Sequence, residues 1–189
     1  MDEKQLTPQE SMEVILRAIS RTKSGIRANS FYFMLWGWLI AIASFSFFVL
    51  SVFFHFKLHF VPFPILGALG GIITIVHYSR TRVVATESYV THFLSRMWMV
   101  LGIAFLMVVF INVSHGQTPF TYTLLLAGIG TTVSCWVMKF RPLVFGGILF
   151  LVSSLASVYV TPEYKSLLQG IAVVAGYLVP GYLLKSAED

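Results

Sequence analysis

Residues 31–55 read FYFMLWGWLIAIASFSFFVLSVFFH, twenty-five consecutive positions without an Asp, Glu, Lys or Arg. A helix needs about 20 mostly apolar residues to cross the hydrocarbon core of a bilayer, and this stretch exceeds that length. Five more apolar stretches follow, at 62–78, 92–113, 118–138, 142–160 and 166–184, with Arg96 as their one charged residue. Together they predict an all-α, polytopic bundle of six transmembrane helices. Lipid offers backbone groups no hydrogen-bond partner, so each span must satisfy its own.

The cations orient the bundle. With six spans, Lys4, Arg17, Arg21, Lys23, Arg27, Arg80, Arg82, Arg96, Lys139, Arg141 and Lys185 fall on one side, and only Lys57 and Lys165 on the other, eleven of the thirteen against two. Cytoplasmic loops carry the lysine and arginine excess, so both termini are expected inside. The same rule accounts for the net charge of +5, which in a soluble domain would point to nucleic acid. No nucleic-acid partner is expected here.

Composition narrows the function classes. With 57% hydrophobic and 11% charged residues, the chain has too little polar surface for an ordinary soluble domain. Its connections at 56–61, 114–117, 139–141 and 161–165 are too short to hold a catalytic domain outside the membrane. Function is therefore expected in the bundle, at its two faces, or on the N-terminal segment. The chain divides into a cytoplasmic amphipathic segment, 1–30, and a transmembrane domain, 31–185. The first thirty residues hold no apolar run, so the first span is expected to serve as an uncleaved insertion signal. Cys135 is the one cysteine; it excludes an intramolecular disulfide and reads as a small buried hydrophobe.

Thr7-Pro8-Gln9-Glu10 is a helix start, with Thr7 as cap, Pro8 at the first helical position and Glu10 closing a capping box. The helix is expected to reach about Ser24 and to break or bend at Gly25. Met12, Ile15, Leu16 and Ile19 share one face, so the segment predicts an amphipathic helix resting on the anionic inner membrane surface. The competing reading is a docking helix for a cytoplasmic protein, for which residues 79–91, the long inner connection, are the other candidate surface.

Small residues recur one helical turn apart: Gly67 with Gly71, Gly128 with Thr132, Gly130 with Ser134, Ala172 with Gly176. Such pairs let helices approach closely, within one chain or between copies in a homo-oligomer. Gly67, Gly71, Gly128 and Gly176 are the packing candidates. Leu69-Gly70-Gly71-Ile72, Leu126-Ala127-Gly128-Ile129 and Leu168-Gln169-Gly170-Ile171 share a Leu-x-Gly-Ile core on alternate spans, and Trp36 and Trp98 lie near the inner starts of the first and third. A bundle of three similar helical hairpins would explain this, and so would the abundance of glycine and isoleucine in membrane helices.

No catalytic motif is present: no His-Glu-x-x-His pair, no Gly-x-Ser-x-Gly elbow and no phosphate-binding loop. The span cores contain no acid, which argues against proton coupling through a buried carboxylate. Most span serines and threonines are expected to bond their own backbone, whereas Asn112 and Gln169 are candidates for interhelical bonds. His55, His59 and His115 are the residues from which an outer-face zinc or copper site would have to be built. The ligand set is thin; these histidines read equally as membrane-boundary anchors, and neither metal nor cofactor is expected.

Three segments carry a resemblance: Leu35-Trp36-Gly37-Trp38-Leu39, Lys139-Phe140-Arg141-Pro142-Leu143-Val144-Phe145-Gly146-Gly147 and Val179-Pro180-Gly181-Tyr182-Leu183-Leu184-Lys185. In these the chain resembles a family of small bacterial multi-span inner-membrane proteins of uncharacterised activity. The resemblance implies a bacterial cytoplasmic membrane and supplies no site. Pro180 is expected to kink the last span. The reading that follows is a non-catalytic, membrane-embedded interaction or regulatory component. The alternative is a small transporter or channel for a neutral or weakly polar solute, which would need a polar cavity reaching toward the midplane.

Overall fold

Four helices begin on a proline, the residue whose missing N–H costs nothing at a helix start. They are α1, Pro8–Val52; α2, Pro62–Thr81; α5, Pro142–Ser157; and α6, Pro162–Val173. Between them lie α3, Tyr89–Ser114, and α4, Phe120–Met138. The last helix, α7, Val179–Ser186, continues α6 through a π turn at Val174–Leu178. This structure, a computed structural model, describes the backbone of residues 8–81, 89–138 and 142–186, and the side chains of Met12 and of residues 31–80, 92–138 and 143–183. Among the described residues the regular structure is all helical, joined by short turns.

Five helices are long and apolar enough to cross a membrane: Phe31–Val52, Pro62–Arg80, His92–Ser114, Phe120–Met138 and Pro162–Leu183. The sixth apolar helix, Leu143–Ser157, is shorter. At 16 residues α5 measures only about 24 Å, less than the ~30 Å of a typical hydrocarbon core. It ends at Ser157 rather than at 160, and the last apolar segment starts at Pro162 rather than at 166.

One local expectation is corrected. Gly25 does not break the chain, because α1 is continuous from Pro8 to Val52. A lone glycine in a helix costs about 1 kcal/mol, which forty-four helical neighbours can absorb. At Pro180, where a kink is expected, the helix takes a π turn. The proline ring cannot donate to the carbonyl of Gly176 and would crowd it, so the preceding turn widens and the Val179 N–H bonds to the Val174 carbonyl, five residues back. The displaced Gly176 carbonyl comes against the backbone of Gly146 on α5, where any side chain would collide with it. At the other turn, Gly116 closes α3 at φ 68°, with its N–H on the Val113 carbonyl and that of Gln117 on the Asn112 carbonyl, a left-handed cap suited to glycine.

The packing order follows from these contacts. α1 lies along α2 on one side and along α6, the π turn and α7 on the other. α4 lies along α3 and, in the most extensive interface of the molecule, along α5. The core runs through Phe33, Ala41, Leu94, Leu124, Leu143, Phe150, Val173 and Tyr177. Phe47 of α1 and Phe63 of α2 meet Phe120 of α4 at the end that carries the α1–α2 and α3–α4 turns, with ring centroids 5.1 and 5.7 Å away.

Candidate functional site

The bundle interior holds several polar side chains. Polar side chains there pair with one another or with their own helices. Gln169 Nε2 donates to Ser44 Oγ at 3.3 Å while the Thr123 hydroxyl donates to Gln169 Oε1 at 2.7 Å, tying α6 to α1 and α4. Ser154 donates to the Thr121 carbonyl at 2.8 Å, and Ser157 shares a 2.8 Å bond with the Thr121 hydroxyl, tying α5 to α4. Thr131, Thr132 and Ser134 bond carbonyls four residues back, each at 2.7 Å. The Tyr177 hydroxyl is hydrogen-bonded to Thr131, its ring packed on Phe33 and Phe150. Among the described atoms only Ser166 Oγ is buried without a partner. The interior is a closed lattice of small bonds between apolar layers.

Asn112 differs from its expected role. Its side-chain amide donates to the Val108 carbonyl of its own helix at 2.8 Å and links no second helix. It lines an open pocket of about 330 Å³ together with Val108, Ile111, His115, Gln117 and Tyr122, at the turn between α3 and α4. Asn112 itself is buried.

The three histidines are not assembled. His59 Nδ1 lies 2.8 Å from the Phe56 carbonyl and its ring packs edge-on against Phe47, while His115 Nδ1 lies 2.8 Å from the Ile111 carbonyl. His55 occupies the left-handed region at φ 47° in the α1–α2 turn. Among the described residues no three of His, Cys, Asp and Glu are grouped to hold a metal. Cys135 is buried, in contact with the Val144 backbone on α5.

Two helices stand apart from this closed interior. Of the apolar window in α2 and in α3 only 6% is buried, against 39% in α1, 44% in α4 and 56% in α6–α7. The glycines divide the same way. A Cβ on Gly128 would meet Leu151 at 2.7 Å, and one on Gly176 would meet the Phe150 ring at 2.8 Å. Gly147 faces Thr132 so closely that backbone meets backbone. At Gly67 and Gly71 a Cβ would meet nothing within 4 Å, so the close packing expected of that pair is not made within the chain; Gly102 on α3 is equally open. Of the N-terminal face, Met12 is exposed, and the side chains of Ile15, Leu16 and Ile19 lie outside the described residues. So do Thr7, Arg82, Glu87, Lys139 and Arg141.

One feature was legible and missed. The Trp36 indole donates to Thr74 at 3.2 Å and covers Gly70 together with Leu39; the Trp98 indole donates to Ser134 at 3.1 Å and covers Gly130 together with Leu101. The signal was Trp-x-x-Leu on one helix of each hairpin and Gly-x-x-x-Thr or Gly-x-x-x-Ser on the other. No known family, curated protein or solved structure matches this chain.

Proposed function

We propose that this protein is a non-catalytic interaction or regulatory component of a bacterial cytoplasmic membrane, crossing it six times with both termini inside. The observation that carries the reading is the contrast between a filled interior and the two bare helices α2 and α3. Their exposed faces are the surface offered to lipid and to other transmembrane helices, a second copy included. Gly67 and Gly71 lie open there, and the small-residue spacing suits a close helix contact. Met12, Ile15, Leu16 and Ile19 would add a contact at the inner membrane surface, to which the uninterrupted α1 would have to bend, and residues 79–91 a cytoplasmic protein contact.

The transport reading is weaker because most of the buried hydroxyls and amides, Ser166 Oγ excepted, already have partners within the chain. Photo-reactive residues at Ile75 on α2 and Met107 on α3, irradiated in native membranes, test the proposal. Discrete protein adducts, at twice the chain mass for a homo-oligomer, support it. Lipid adducts alone, together with solute uptake by purified protein in liposomes, would replace it with the transport reading.

A further inference from the structure

At the turn between α3 and α4 the chain gathers hydrogen-bonding side chains and leaves them open. Asn112, His115, Gln117 and Tyr122 line the pocket there with Val108 and Ile111, and no Lys, Arg, Asp or Glu is among them. The turn that carries His115 and Gln117 is held in one shape. Gly116 takes its left-handed φ of 68°, the Gln117 N–H bonds to the Asn112 carbonyl, and the His115 N–H reaches back to the Ile111 and Asn112 carbonyls. A site set before its ligand arrives loses less freedom on binding.

The polar atoms of this pocket lean toward accepting. Asn112 is only 7% exposed and donates an N–H to the Val108 carbonyl, while its Oδ1 takes no hydrogen bond from the described residues. Among the described atoms only Ser166 Oγ is both unpartnered and sealed off, so the Asn112 oxygen opens onto the pocket that Asn112 lines. A largely buried acceptor without a donor is unfavourable, and a ligand that supplies one is held by it. His115 adds a second acceptor. Its Nδ1 lies 2.8 Å from the Ile111 carbonyl, which can only accept, so Nδ1 carries the proton and Nε2 of the neutral ring is left with a lone pair. Gln117 and Tyr122 can each accept as well. The complement of several acceptors with no cation beside them is a small, positively charged group rich in N–H donors, a primary ammonium.

The rest of the occupant follows from where the pocket lies. Val108 and Ile111 belong to the apolar span His92–Ser114, and His115 and Gln117 come after its end. Along α3 the lining runs from apolar to polar over roughly 10 Å, at 1.5 Å per residue. Ile111 and Tyr122 are half exposed, so the pocket opens on the flank of the bundle, where lipid stands. We infer that it is a site for a phospholipid with an ethanolamine headgroup. The ammonium donates to Asn112 Oδ1 and His115 Nε2, an acyl chain lies along Val108 and Ile111, and the phosphate stays in the hydrated headgroup layer. The site goes beyond the partner reading above and stands whether or not a protein docks on α2.

The full chain in nanodiscs of choline-headgroup lipid tests it. Two trace lipids carry the same photo-reactive acyl chain, one on an ethanolamine headgroup and one on choline, which has the same charge and no N–H. After irradiation, adducts on the peptides spanning residues 108–122 should be more abundant with the ethanolamine lipid by at least about tenfold, the worth of one hydrogen bond to a charged group. Asn112→Leu keeps the volume, removes the acceptor and should make the two lipids equal. If that variant does not fold, His115→Phe, at an exposed position, should lower the excess several-fold. Equal labelling by both lipids in the parent chain, or an excess that survives both substitutions, overturns the inference. So does equal labelling by a glycerol-headgroup probe, which would make any hydroxyl sufficient. Loss of the adducts on adding soluble ethanolamine would show that the pocket reads the free amine, and would overturn the lipid assignment.

Discussion

The α4–α5 interface and the outer face of α2 are built from similar sequence and end in opposite states. Both carry glycines at small-residue spacing on apolar helices without a charge in their middle turns. On α4, Gly128 lies under Leu151, and Thr132 is pressed onto Gly147; on α2, Gly67 and Gly71 lie under nothing. The difference shows that spacing marks which face of a helix is flat, while the chain's topology decides whether another helix arrives there. Burial follows the arrival: 44% of the α4 window against 6% of the α2 window.

Where backbones touch, the contrast should be most severe. Gly146 faces the carbonyl that Pro180 displaces at Gly176, and neither backbone can yield without undoing the π turn. Gly146→Leu is expected to cost at least the ~1 to 3 kcal/mol of ordinary overpacking and to abolish a monodisperse folded protein in detergent. A Gly146→Leu protein with unchanged thermal unfolding would mean that the α5 contact with the π turn is not the one described.

The next comparison is direct. Gly128→Leu must push Leu151 and the α5 backbone aside, for about 1 to 3 kcal/mol, whereas Gly71→Leu enters open space and should stay within about 0.5 kcal/mol of the parent. Unfolding midpoints in one detergent decide it. Equal losses at both positions would place a neighbour on Gly71 that the single chain does not supply, and would point to a second copy.

How much of this could be read from the sequence depended on the physics behind each signal. The bilayer imposes one length and one polarity on every span, so the long apolar helices were visible from residues alone. α5 strays from that length: it ends at Ser157, and Pro162, which disfavours helix at the residue before it, opens the next helix. The glycine contacts were half legible. Spacing is a property of one helix, and the neighbour that meets Gly128 or misses Gly71 belongs to another. The tryptophan clasps were also half legible, since Trp-x-x-Leu and Gly-x-x-x-Thr or Gly-x-x-x-Ser stand in the sequence while only the fold brings each indole to its hydroxyl. Gly25 reads as a break only when taken alone, because the helix on both sides of it carries the cost of one glycine.

The clasps supply a smaller and internally controlled effect. Trp36→Phe and Trp98→Phe each remove one indole donor and keep an aromatic ring over Gly70 or Gly130. Interhelical hydrogen bonds in membrane proteins average about 0.6 kcal/mol and reach ~1.7, so each variant should lose that much. If the hairpins are two copies of one design, the losses should be equal despite the different burial of α2 and α4. A loss confined to Trp98→Phe would make the clasp on α2 incidental.

The smallest expected change has the opposite sign. Gly67 has helical neighbours on both sides, no left-handed backbone and nothing within 4 Å of a Cβ, so an alanine there meets no resistance. Alanine also restricts the unfolded chain more than glycine does, which stabilises by about 0.4 to 1 kcal/mol at a compatible site. Gly67→Ala should therefore raise the unfolding midpoint of the detergent-solubilised monomer slightly. The same methyl would stand in the way of a helix docking closely on the Gly67 and Gly71 face. A variant that is more stable as a monomer and weaker in its protein adducts from Ile75 would show that the bare face of α2 is kept flat for a partner. One that is more stable with adducts unchanged would mean that the glycines of α2 face lipid.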